Sequence, residues 1–101
     1  MDDAKPVEID LAGKTVTLVP TGEAALAISD AADGLAPAMA AISRLSVKAM
    51  AMVINAGAGL KGAEARSTAE AVAASNLVEL SGKLSDYVAA LCNGGRPFKG
   101  A

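Results

Sequence analysis

The sequence predicts a mainly α fold: an N-terminal β-hairpin followed by a compact bundle of four to five short helices. Three observations carry this. Residues 7 to 19, "VEIDLAGKTVTLV", alternate at period two, as a half-buried strand pair does. From Thr21 onward, helix caps and helix stops punctuate the chain. Finally, Leu77, Leu80, Leu84, Val88 and Leu91 recur at steps of three and four, which places them on one stripe of a single helix.

In the hairpin, Val7, Ile9 and Leu11 share one face and Glu8 and Asp10 the other. After Ala12-Gly13, Val16 and Leu18 point inward while Thr15 and Thr17 point outward. A lone two-stranded ribbon is marginal in water, so its apolar face must lie on the helices. Pro20 ends the second arm.

Thr21 is the expected N-cap of the first helix, with Glu23 in its first turn and Gly34 as its stop. Pro37 suits the opening turn of a short second helix carrying Met39, Ile42 and Leu45. Ser46 caps a third, from Val47 to about Ala56. It is apolar nearly all round apart from Lys48 and Asn55, which predicts a central position. A fourth helix is expected from about Ala63 to Ala74. Asn76 with Glu79 three residues on resembles a capping box, so a fifth helix begins there, with Tyr87 at the border of its apolar stripe. Asn93-Gly94-Gly95 stops it.

One domain is expected over 7–95, between a flexible N-terminus (1–6) and a flexible tail, "RPFKGA" (96–101). A chain of 101 residues buries roughly two-thirds of its unfolded surface. It is 52% hydrophobic yet has one Tyr, one Phe and no Trp. Alanine supplies much of that content, so the core rests on a few Leu, Ile, Val and Met side chains. The net charge of −2 comes from interspersed charges with no basic stripe, which argues against nucleic-acid binding. The acidic start "MDDAKPVEID" has no apolar signal region, and the longest uncharged run, Ala49 to Leu60, is too short to cross a bilayer. The expectation is a soluble intracellular protein without membrane contact.

Gly57-Ala58-Gly59-Leu60-Lys61-Gly62 is a literal G-x-G-x-x-G, the pattern that cradles a pyrophosphate between a buried strand and a helix. Here "SVKAMAMVIN" precedes it, and that segment reads as helix. Residues 57 to 62 are therefore expected to be a loop joining two helices, and no cofactor is expected. The chain has no His, which removes Ser-His-Asp and Cys-His arrangements and most zinc sites. Glu23, Asp30 and Asp33 could line one face of the first helix as paired carboxylates, but a solvated helix face is the simpler reading. Cys92, the only cysteine, sits near a helix C-terminus, where the dipole disfavours a thiolate. No catalytic, cofactor or metal residue is assigned, and the chain is not expected to be an enzyme.

What remains is interaction surface. Ser81, Ser85 and Ala89 follow at steps of four beside Gly82. This small-residue groove suits either an Ala-rich neighbour in the same bundle or a partner helix. Met39 and Met52 read as gap fillers or as adaptable contacts, Met52 lying opposite the main apolar stripe of its helix.

The layout as a whole resembles a known family. A hairpin ends in "TLVPT", a helix closes with "DAADG" and another with "NAGAGL". Two more follow, the last introduced by "SNLVEL" and terminated at "DYVAALCNGG". Over roughly residues 6 to 95 this is similar to the small tail-assembly-chaperone family of gene transfer agents and related siphophages, some members of which are labelled tail tube proteins. The resemblance implies a non-enzymatic protein of the bacterial host cytoplasm. It would transiently bind helical segments of the tail tape-measure protein and help recruit tail tube subunits. The alternatives are a structural tail subunit that self-associates, as a homo-oligomer joined through the hairpin edge, and a small ligand-binding protein built on the 57–62 glycine loop.

Overall fold

The computed structural model describes residues 5–94. The expected tail 96–101 and most of the expected flexible N-terminus lie outside them. Val7–Leu11 (β1) and Lys14–Leu18 (β2) pair antiparallel, with Val7 opposite Leu18, Ile9 opposite Val16 and Leu11 opposite Lys14. Ala12 and Gly13 make the two-residue turn with φ of 50° and 84°. Both are positive, as the right-handed twist of a tight hairpin demands. Ile9, Leu11 and Leu18 are buried, whereas Glu8, Asp10, Thr15 and Thr17 are exposed, so the alternation in sequence becomes a two-faced ribbon.

Helix α1 (Gly22–Ala32) starts where Thr21 Oγ1 accepts the Ala24 N–H at 3.0 Å. Its end differs from expectation. Asp33, not Gly34, takes the left-handed position with φ 64°, and the Gly34 N–H closes the turn on the Ser29 carbonyl at 2.8 Å. Asp tolerates this conformation better than most residues because its short side chain bonds locally. Helix α2 (Leu35–Ser43) follows after a bend of 73°, with Pro37 in its first turn. Leu45, expected on α2, lies beyond its end at φ 59° and is 37% exposed, so only Ile42 and half-buried Met39 serve the core from that stripe.

Helix α3 (Val47–Ala58) is capped by Ser46 Oγ, which accepts the Ala49 N–H at 3.1 Å. It packs against α1, α2, β2 and the two following helices, the central place its all-round apolarity predicts. Helix α4 (Gly62–Ala73) buries only Thr68 and Val72. Thr68 Oγ1 lies 2.6 Å from Asn55 Oδ1 and 3.0 Å from the Glu64 carbonyl, while Asn55 Nδ2 donates to the Ala65 carbonyl at 3.1 Å. The polar edge of α3 thus clamps α4. Helix α5 (Leu77–Cys92) begins at Asn76, whose Oδ1 accepts the Glu79 N–H at 3.1 Å.

On α5, Leu80, Leu84, Val88 and Leu91 are buried and Leu77 is half-buried. Tyr87 is not at a border: it is the largest fully buried side chain of the core. It joins Ile9 and Leu18 of the hairpin with Ile28, Ile42, Met50, Ile54 and Val72 of the other helices. One core therefore holds ribbon and bundle together.

Candidate functional site

The glycine run resolves differently from a single loop. Gly57 and Ala58 are the last turn of α3, and only Gly59, Leu60 and Lys61 lie between helices. Gly59 is left-handed at φ 69°, and its N–H and that of Leu60 both return to the Asn55 carbonyl, a helix C-cap of the kind glycine favours. Gly57 is buried for another reason. A Cβ there would stand 2.8 Å from the Tyr87 hydroxyl oxygen, 3.0 Å from Cζ and 3.2 Å from Leu18 Cβ. The Gly57 carbonyl accepts the Val19 N–H at 3.0 Å, and the Tyr87 hydroxyl donates to the Val19 carbonyl at 2.7 Å. Burial pushes the Tyr87 phenol up to about 12, so it stays a neutral donor. A helix stands where the dinucleotide motif requires a strand.

Glu23, Asp30 and Asp33 are all exposed on or just beyond α1, and among the described residues no three His, Cys, Asp or Glu side chains gather as metal ligands do. Cys92 is exposed at the end of α5. Among the described residues no single helix is long and apolar enough to cross a membrane.

The five surface positions singled out in sequence do not form one site. Met52 is half-buried in an open cleft of about 410 Å³ between α1 and the α3–α4 junction, lined also by Ala24, Ala27, Ala56 and Leu60. No residue of α5 lines that cleft. On α5, Ser81 turns toward α2, where its hydroxyl donates to the Ile42 carbonyl at 3.3 Å. It serves the bundle's own packing. Gly82 is exposed, with nothing within 4 Å of where a Cβ would stand. Ser85 and Ala89 are half-buried.

Sequence reasoning passed over Val78, which is 73% exposed. At 100° per residue, Val78, Gly82, Ser85, Ala89 and Cys92 fall on one face of α5, roughly opposite the buried Leu80/Leu84/Tyr87/Leu91 face. None of the five is charged, and the stripe runs for about four turns. The signal was available: an apolar side chain at 78 in phase with the small residues, not with the leucines. Leu26 on α1 is exposed to the same degree, at 74%.

Fold and surface together define a hairpin-and-helix-bundle protein whose uncharged outer helix face is its main chemical peculiarity. Compared with protein-family models, with curated proteins and with solved structures, the chain matches none of them.

Proposed function

We propose that this protein is a non-enzymatic tail assembly chaperone of a phage or gene transfer agent, one that transiently binds helical segments of the tape-measure protein and helps recruit tail tube subunits. The observation that carries this reading is the uncharged outer face of α5. Val78, Gly82, Ser85 and Ala89 offer a shallow track of small and apolar side chains to solvent, and small residues let another helix approach closely. A long helical client with an apolar stripe gains burial there without facing an unpaired charge. The resemblance of the whole hairpin-plus-helices layout supports the same reading. Met52, in its separate cleft, would serve as a second adaptable contact.

Co-expression with a tape-measure segment tests it. Val78→Asp places a charge on the track without touching the core, and Ser85→Leu adds bulk where close approach is needed. Both should leave the circular dichroism spectrum of a folded helical protein and abolish co-purification. Capture of the segment undiminished in the folded Val78→Asp variant would overturn the assignment.

A further inference from the structure

The two edges of the hairpin are not alike. In a two-residue hairpin the residues flanking the turn exchange bonds with each other, so the bonded pairs are Leu11–Lys14, Ile9–Val16 and Val7–Leu18. The N–H and C=O groups of Glu8 and Asp10 on β1, and of Thr15 and Thr17 on β2, therefore point away from the ribbon. On the β1 side, α5 reaches over part of the edge, while the outward groups of Asp10 bond to nothing among the described residues. Lys83 Nζ donates to the outward Glu8 carbonyl at 3.2 Å, and Ser75 Oγ takes the N–H of Ala12 at 3.1 Å. On the β2 side, the Val19 N–H is taken by Gly57 of α3. The outward groups of Thr15 and Thr17, both exposed, bond to nothing among the described residues.

Beside that open edge runs a cleft of about 370 Å³, walled on the far side by Glu64, Ser67, Thr68 and Ala71 of α4 and closed below by half-buried Val16 and Leu60. Helix α4 runs antiparallel to β2. It starts a few residues after the Gly57–Val19 contact and ends at Ala73, just before Ser75 meets the hairpin turn. Glu64 accordingly stands at the Thr17 end of the cleft and Lys14 at the other.

We infer that the β2 edge is a self-association site at which a second copy of this chain adds its own β2, antiparallel and across a twofold axis at Val16. The segment Lys14-Thr15-Val16-Thr17-Leu18 is nearly palindromic in what it offers. Thr15 faces Thr17 of the second copy and Thr17 faces its Thr15, so the outward backbone groups of each strand meet the complementary groups of the other. The Val16 side chains meet on the axis over the two clefts. Lys14 of each copy, carried to the far end of the other's strand and pointing to the helix side, arrives beside Glu64 of that copy. This reciprocal pairing of opposite charges favours a second copy over an unrelated extended peptide, and among the described residues neither group is in an ion pair within its own chain. The interface is isologous, so it closes at two copies. It uses neither the outer face of α5 nor Met52, so it stands or falls independently of the tape-measure reading.

Sedimentation across a concentration series reads the outcome. The unaltered chain should pass from monomer to dimer as concentration rises. Lys14→Glu alone and Glu64→Lys alone should each weaken association roughly tenfold or more, by setting like charges face to face. The double reversal, Lys14→Glu with Glu64→Lys, should restore it. Thr17→Pro removes an outward N–H but no bond of the ribbon, and should also give a monomer. A chain that stays monomeric throughout overturns the inference. So does a dimer indifferent to the single reversals, a doubly reversed chain that stays monomeric, or a folded Thr17→Pro protein that still dimerises.

Discussion

The two contacts that α3 makes at its C-terminal end are built from opposite materials. On one side its last turn meets α5 and β2 through Gly57, Tyr87, Leu18 and Val19, a junction with an aromatic ring at zero exposure and a glycine where no side chain fits. On the other side it meets α4 through Asn55 and Thr68, hydrogen bonds at a helix with just one buried aliphatic residue, Val72. The first contact derives its strength from area and close packing. The second derives its definition from polar geometry, and such hydrogen bonds add only about 0.5–1.5 kcal/mol net each. A chain so rich in alanine has few large side chains to distribute, and it concentrates them at α5. Helix α4 is consequently the part expected to open first under native conditions, at a free energy below that of global unfolding.

The largest expected effect lies on the packed side. Leu84 is fully buried in the middle of α5, and Leu84→Ala should lower stability by about 2–5 kcal/mol, read from the urea midpoint. An unchanged midpoint would remove α5 from the centre of the core. Next comes Gly57→Ala, which forces a methyl into the Tyr87 ring and should cost about 1–3 kcal/mol. Tyr87→Phe removes one of the two donors to the Val19 carbonyl and leaves the Thr21 N–H at 3.0 Å, at about 0.5–1.5 kcal/mol. Because the hydroxyl oxygen is the nearest obstacle to the new Cβ, the two costs should add up to less than their sum in the double variant. Strict additivity would break the close-packed account of this junction.

The same phenol gives the junction a pH signature. In the unfolded chain Tyr87 ionises near its ordinary value of 10.0, and in the fold only at about 12. The unfolded state therefore loses its proton first. The junction's contribution is full below pH 10, declines as pH rises from 10, and is lost by the time it passes 12. Tyr87→Phe should flatten this decline in melts run over that window. If the variant and the unaltered chain lose stability in parallel, the phenol is not buried as described.

On the polar side, Asn55→Ala should cost about 1–2 kcal/mol and should raise amide exchange across α4 more than in α5. Uniform acceleration along the chain would mean that the two regions open as one unit. The smallest effect is a gain. Ala12 holds φ 50° in the hairpin turn, where Asn is at ease, so Ala12→Asn should add about 0.5 kcal/mol of stability.

Much of this architecture is legible from local chemistry alone. Thr21, Ser46 and Asn76 each cap the helix they precede, because a cap needs only an oxygen and an N–H a few residues apart. The α5 stripe and the hairpin faces follow from periodicity. The features that sequence reasoning missed depend on distant partners. Tyr87 is at the edge of its stripe by angle alone; it becomes central because Gly57 and Val19 come to it from elsewhere in the chain. Gly57 reads as a loop residue until the ring it must accommodate is known. Ser81 and Ser85 are equivalent by spacing, yet only Ser81 has the Ile42 carbonyl within reach. On the outer face, Val78 was hidden by its neighbour Leu77, since only the direction of the core decides which of two adjacent apolar residues is left in solvent.

The Tyr87–Val19 bond spans 68 positions of sequence, and this has a consequence for how the chain is born. Synthesis proceeds from the N-terminus, so β1 and β2 emerge long before the ring that fastens the end of their ribbon. A free two-stranded ribbon is marginal, and distant pairings must await closure of the intervening chain. The hairpin therefore reaches its final lodging only after the chain through α5 has left the ribosome. Until then its uncovered strand is exposed to any neighbouring nascent chain that carries a matching one.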